Sequence, residues 1–235
     1  LQFNGIDQYL EVQSFNPTNE DGYTVLCAYN SQTTNLGDLV LWSKYNNSSD
    51  RIESYVSGNN PSLAIDNGVN FLNYGSSLGN STTQLGVYRF SDTVLLPYLT
   101  NGNRSYTKEL SLNGVYTNFT NQYGDTTKSF SDVLTNLTIG ARTNQTLFWD
   151  GEIKYFCIFK GILNDAEIKE IHNNGLFSNP STKLQGKYDL ELFVDFNNPF
   201  SDGQLKFPDL SPNNHTIIAN GWTDLTDLEA SQTIL

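Results

Sequence analysis

Three carboxylates crowd one short run late in the chain. Asp189, Glu191 and Asp195 stand at i, i+2 and i+6, so on a strand they share one face with Phe193. Carboxylates held ~5–9 Å apart are the machinery of glycoside hydrolysis, one as general acid and the other as nucleophile or base. On that chemistry Asp189 and Glu191 are the candidate catalytic pair. The competing reading is an acidic strand that faces solvent. The two histidines, His172 and His215, show no nucleophile or carboxylate partner in the sequence around them, so no acid–base dyad is expected there.

A second kind of chemistry lies in runs that mix aromatic rings with amides. Trp42, Tyr45, Tyr98, Asn101, Tyr106 and Tyr123 are the candidate ligand-binding residues. Sugars stack their apolar faces on aromatic rings while amides and carboxylates read the hydroxyls. The same residues also suit a protein–protein contact or a β-sheet core. The two cysteines, Cys27 and Cys157, each fall inside a strand-like run. They pair if their strands face each other across a sandwich; otherwise they are buried thiols acting as small apolar residues.

These residues need a scaffold, and the patterning describes a β-rich one. Tyr23–Tyr29 is aromatic and β-branched, and in Asp38–Tyr45 Leu39 and Leu41 alternate with Val40 and Trp42. The run Arg51–Val56 returns beside it. Turn signals at Asp66-Asn-Gly68, Asn101-Gly102, Asn113-Gly114 and Tyr123-Gly-Asp125 punctuate short apolar segments. Turns at such intervals without helical periodicity mean an antiparallel sandwich. Later in the chain, alternation puts Ile153, Tyr155, Cys157 and Phe159 on one face of a strand and Phe156 and Ile158 on the other. One short helix is expected near 165–173. Asn164 is its N-cap, Glu167 completes a capping box, and Leu163 with Ile168 has staple spacing; Gly175 is the expected stop.

Composition narrows the partners. A net charge of −12 argues against a surface that tracks phosphates, so nucleic acid and anionic membranes are disfavoured. No run approaches the ~20 apolar residues of a membrane span. The 235 residues include 18 Gly, 13 Tyr and 14 Phe, with 16% charged, which describes a turn-rich protein of extracellular character. With no Met in it, the chain is expected to be a mature fragment or a piece of something longer.

Two stretches resemble one family. "LTIG…FWDGEIKYFCIFKGILNDAEIKEIHNNG", from Leu137 to Gly175, is similar to the closing signature of laminin-G-like, concanavalin A-like jelly rolls, and "LQFNGIDQYLEV" resembles their first strand. The resemblance implies an all-β, antiparallel jelly-roll β-sandwich. The segment Asp189–Trp222 resembles the start of the same family. Residues 187–235 are therefore expected to complete a single domain spanning 1–235, the alternative being a 1–178 domain followed by the start of a second repeat. In relatives, turn carbonyls and an aspartate hold a structural calcium, which here would fall to Asn4, Gly5 and Asp150. Glucanases of the superfamily place acids at alternate positions of one strand, and Asp-Leu-Glu at 189–191 matches that only in part.

The expectation is a non-catalytic recognition or adhesion module, carbohydrate-binding first, on a secreted, cell-surface or virion protein. Its partners are then glycans or cell-surface ligands. The alternatives are a structural module of a phage tail or head, bound to other virion or fibre subunits, and a glycoside hydrolase.

Overall fold

A computed structural model of the chain describes residues 1–17, 22–31, 38–47, 50–57, 60–65, 68–70, 84–91, 107–112, 115–118, 133–173 and 189–232. In chain order the strands are β1 (Gln2–Asn4), β2 (Tyr9–Val12), β3 (Tyr23–Ser31), β4 (Asp38–Asn47), β5 (Asp50–Ser57), β6 (Asn60–Ile65) and β7 (Gly68–Asn70). There follow β8 (Gln84–Ser91), β9 (Thr107–Leu112), β10 (Val115–Asn118), β11 (Leu137–Ile139), β12 (Asp150–Lys160), β13 (Leu190–Phe193), β14 (Phe200–Ser201), β15 (Leu205–Phe207) and β16 (Ile217–Asn220). Helix α1 (Asp165–Asn173) follows β12, and a second helix, α2 (Leu225–Ala230), closes the described chain.

The strands form two antiparallel sheets. Among the described residues one is seven-stranded, ordered β1-β12-β3-β8-β9-β10 with β13 also on β12. The other is nine-stranded, ordered β14-β15-β16-β2-β11-β4-β5-β6-β7. The bend at Asn4–Gln8 carries the chain from one sheet to the other. Asn4 Oδ1 accepts the backbone N–H groups of Ile6, Asp7 and Gln8, closing that turn.

Both ends of the described chain converge on the same strands. β1 and β13 pair with opposite ends of β12, at Asp150–Glu152 and Cys157–Phe159, while β16 pairs with β2. Phe3, Leu10, Val12, Trp42, Phe156, Ile158, Ile217 and Trp222 fill the space between the sheets. A second apolar layer covers the outer face of the seven-stranded sheet. There Leu163, Ile168 and Ile171 of α1 and its approach pack on Leu26, Ala28, Tyr155, Cys157 and Phe159.

The capping box forms as expected: Asn164 Oδ1 accepts from Ala166 and Glu167 N–H, and Glu167 Oε2 accepts from Asn164 N–H at 2.7 Å. Gly175, the expected stop, lies outside the described residues. Helix α2 is an addition to the expected single helix. It has six residues and one buried side chain, Leu228, too little to leave a periodic stripe in the sequence.

Two bulges correct the expected facing of side chains. A register shift between Ile153 and Tyr155 turns Ile153 into the inner core, away from Tyr155, Cys157 and Phe159. Another, between Val40 and Trp42, puts Leu41 and Trp42 both inward and leaves Val40 outside. The cysteines occupy adjacent strands of one sheet, with Cys27 opposite Phe156 and Cys157 opposite Leu26. Paired residues share a face, so the two thiols point to opposite sides of the sheet and no disulfide joins them. Burial pushes both thiols well above their ordinary range.

Candidate functional site

Helix α1 closes the outer face of the seven-stranded sheet. The outer face of the nine-stranded sheet is different in kind, because its central row is polar. Register places Glu11, Thr138, Ser43 and Glu53 side by side across β2, β11, β4 and β5, with Tyr45 opposite Arg51 one step further along. Over this row lies the loop that joins β11 to β12.

That loop is tightly made. Gly140 takes a positive φ of 86° and donates to Leu41 O, and Trp149 N–H closes the base by donating to Gly140 O at 2.7 Å. Arg142 and Thr146 form an isolated bridge around a turn with Gln145 at φ 59°, and Leu147 is also left-handed at φ 54°. A branched side chain there is costly on its own. Leu147 is held by packing on Val40 and Tyr55 and by its carbonyl, which accepts from Val40 N–H. Thr143 binds the loop to the sheet: its Oγ1 accepts from Tyr45 N–H at 3.1 Å and donates to Ser43 O at the same distance.

The centre of the face is a charge cluster. Glu53 is fully buried, and its carboxylate accepts from Arg51 Nη1 at 2.7 Å and from Arg142 Nε and Nη2, each at 2.8 Å. The Arg142 contact is the bidentate fork, which fixes the guanidinium plane as well as its distance. With its plane fixed, the guanidinium sits 4.6 Å above the Tyr45 ring. No described residue engages Arg142 Nη1. Among the described residues Glu53 thus holds two guanidiniums at once. The arrangement presents a flat stacked surface with directed N–H donors at its edge, suited to an oxygen-rich ligand.

The expected site residues scatter. Tyr45 is half-buried at this cluster. Trp42 is corrected: it is fully buried, edge-on to Tyr88 at 5.3 Å, and cannot stack on a ligand. Tyr98, Asn101, Tyr106 and Tyr123 lie outside the described residues. Arg142 and Glu53, the residues that make the cluster, are missed by sequence reasoning, since the loop carries no motif beyond the Thr-Ile-Gly before it.

The carboxylates Asp189, Glu191 and Asp195 do not form a common acidic face. Glu191 is buried between Lys160 Nζ (3.2 Å) and His215 Nε2 (3.2 Å), while Asp189 is exposed with Lys160 at 3.8 Å. Asp195 folds back on Asn197 N–H and the Asn198 side chain to end the strand. The solvent-facing reading is thus also corrected at Glu191, and His215 does have a carboxylate partner. Asp209 ties the same knot. Its two oxygens accept from Phe193, Ser211 and His215 N–H and from Ser211 Oγ. Burial disfavours the His215 cation, but the hydrogen bond to Glu191 and the Asp209 and Glu191 charges outweigh it, so His215 titrates above its ordinary value. His172 closes the last turn of α1.

Asn4, Gly5 and Asp150 do meet, with Asn4 opposite Asp150 and Gly5 N–H donating to Trp149 O at 3.0 Å. As a calcium site they fit poorly. Asn4 Oδ1 already receives three N–H groups and Trp149 O receives Gly5, leaving Asp150 to supply most of the oxygen ligands such an ion wants. Among the described residues no three Asp, Glu, His or Cys side chains converge as metal ligands.

Two antiparallel sheets packed face to face, with β1 and β13 both on β12, form a β-sandwich of the concanavalin A-like jelly-roll fold. Solved structures share this fold at low sequence identity. A candidate carbohydrate-binding protein from Bacteroides ovatus aligns with a TM-score of 0.60 and 9% identity over 93% of this chain and 59% of its own. The chain thus spans about three-fifths of that protein. The heptameric SAP-like pentraxin from Limulus polyphemus aligns at 0.52 and 12% identity, over 72% of this chain and 79% of its own. The CBM40 of the Ruminococcus gnavus IT-sialidase, bound to α2,3-sialyllactose, aligns at 0.51 and 15%, over 73% and 97%. No family profile and no curated protein sequence matches the chain. Among the described residues no helix is long and apolar enough to cross a membrane.

Proposed function

We propose that the chain is a non-catalytic carbohydrate-binding module of a secreted or cell-surface protein, and that it binds glycan on the outer face of the nine-stranded sheet. The observation that carries this reading is the Arg142 guanidinium, stacked on Tyr45 and oriented by buried Glu53, with no acceptor for Nη1 among the described residues. Ring and guanidinium offer a stacking plane, and the spare N–H groups read a hydroxyl or a sugar carboxylate. The description of the Bacteroides protein and the sialyllactose on the Ruminococcus domain support the same ligand class. A hydrolytic role for Asp189 and Glu191 is disfavoured because Glu191 is locked between Lys160 and His215.

The test is a glycan array holding neutral and acidic sugars, followed by calorimetry on the hits. Arg142→Ala and Tyr45→Ala are each expected to weaken binding about tenfold or more, the equivalent of ~1.4 kcal/mol. Silence across the whole array, or hits indifferent to both substitutions, refutes the proposal.

A further inference from the structure

Among the described residues, four other than glycine stand on a left-handed backbone: Ser14, Gln145, Leu147 and Asn214. Two of them lie in the loop that carries Arg142. Asparagine reaches this conformation readily, and Ser14 and Gln145 sit in exposed turns. Leu147 is different, because it is half-buried, apolar and bulky. A side chain of that kind at φ 54° is an outlier, and an outlier in a binding loop is a place to look for function.

A built seat receives that side chain. Val40 and Tyr55 are cross-strand partners on β4 and β5, both buried, and Leu147 packs on the pair. Val40 reaches this face only through the bulge. By alternation from Trp42 it belongs inside, and the register shift between the two turns it out. The backbone completes the contact, with Val40 N–H donating to Leu147 O at 3.1 Å. The seat adjoins the platform, since Tyr55 and Glu53 share one face of β5 two residues apart, ~7 Å along the strand. Beyond the seat the loop folds back on itself. Arg142 N–H donates to Thr146 O at 3.0 Å, and Gln145 N–H donates to Arg142 O at 2.8 Å. Thr146 directly precedes Leu147, so one peptide bond separates the seat from the bridge that sets the Arg142 backbone.

We infer that Leu147 is a positioning residue for the binding platform: seated on the bulged Val40 and on Tyr55, it holds the loop in the conformation that lays the Arg142 guanidinium over Tyr45. It rests on the glycan reading above for what the platform binds. Glycine takes this backbone without strain but has nothing to seat. Leucine carries the strain and gains an anchor, so the loop meets its ligand already ordered and little ordering entropy is lost on binding.

The test compares Leu147→Gly and Leu147→Asn, both at ease on a left-handed backbone, with Leu147→Met, which keeps an apolar anchor. Each whole-chain variant is read by amide hydrogen exchange, by the NMR signal of the Arg142 Nε–H, and by calorimetry with α2,3-sialyllactose and cellotriose as acidic and neutral probes. In the Gly and Asn variants, exchange of the Arg142, Gln145 and Trp149 amides is expected to quicken about tenfold or more. The Arg142 Nε–H should lose its protection, and affinity for whichever probe binds should fall about five- to tenfold. Amides of β3 and β12, in the other sheet, should keep the parent's rates. Leu147→Met should restore loop protection and binding to within about twofold of the parent. Loop amides as protected as the parent's, or equal quickening in β3 and β12, overturn the inference, and so does unchanged affinity in a loosened loop. A parent that binds neither probe counts against the glycan reading instead, and the exchange rates then still decide whether Leu147 fixes Arg142.

Discussion

Replacing Glu53 with Gln is the sharpest test of the site's physical basis. The side chain is fully buried and accepts three N–H groups from two guanidiniums. Glutamine keeps the shape but removes the charge, and its amide NH₂ must face a donor. Removing one partner of a buried ion pair costs ~3–5 kcal/mol, mostly by stranding the other charge. Here the cation that loses its fork is Arg142, whose side chain is 17% exposed, so water reaches it in part and the lower figure applies. At ~2–4 °C per kcal/mol for a chain of this size, about 3 kcal/mol lowers Tm by ~6–12 °C. The assay is urea and thermal unfolding of Glu53→Gln, Arg142→Met and the double variant, followed by tryptophan fluorescence. The double variant removes both partners of the fork, so its loss should fall short of the sum by ~1–3 kcal/mol. A Glu53→Gln protein within 1 kcal/mol of the parent, or additive losses, refutes the idea that this carboxylate holds the guanidiniums in place.

Three further outcomes follow from the same structure. Gly140→Ala places a Cβ 2.5 Å from the buried Phe3 ring at φ 86°, whereas Gly203→Ala meets nothing within 4 Å at φ 105°. Denaturant unfolding should show a loss of ~2–4 kcal/mol for the first, strain plus overpacking, and only ~1 kcal/mol for the second. His215 is raised in the folded state, so its stabilising contribution is complete below its ordinary pKa near 6.5 and is lost as pH climbs through the higher folded value. Melting curves across the neutral to alkaline range should fall more steeply for the parent than for His215→Gln, and parallel curves count against the Glu191 pairing. Native protein should be inert to a thiol reagent that titrates two thiols in denaturant, with no mobility change on reduction.

Much of this was legible in the chain, wherever a local rule had no competitor. Asn164 and Glu167 announce α1 because a capping box needs only residues three apart. Leu137 to Ile139 and Phe156 to Ile158 announce strands because alternation holds through them. Trp42 and Ile153 were misplaced for a definite reason: a bulge adds one residue to a strand and inverts every facing beyond it, and no local signal marks it. His215 and Glu191 stand 24 residues apart and meet only when the 209–215 turn folds onto β13. Arg142 had no pattern to betray it, since its partner Glu53 is 89 residues earlier. A site assembled from distant strands and a loop is written in tertiary contacts, and those are what a linear reading lacks.

The same logic explains why the remote ends of the described chain matter to the site. The loop that carries Arg142 hangs from β11 and β12, and its exit residue, Trp149, is buried edge-on against Tyr29 at 5.4 Å. Trp149 O accepts from Gly5 N–H, and a Cβ on Gly5 would come within 2.7 Å of the Asp150 Cβ. β1 therefore lies against the base of the loop, and Phe3 beside it presses on Gly140 at the loop's other foot. Trp222 packs edge-on to Phe3 at 5.7 Å, and its Nε1 donates to Ser231 Oγ, so the C-terminal segment braces Phe3 from behind. A contact chain thus runs from α2 through Trp222 and Phe3 to Gly140, and from there to the guanidinium on Tyr45. The late strands and helix do more than extend the sheets: they fix the two feet of the loop that carries Arg142.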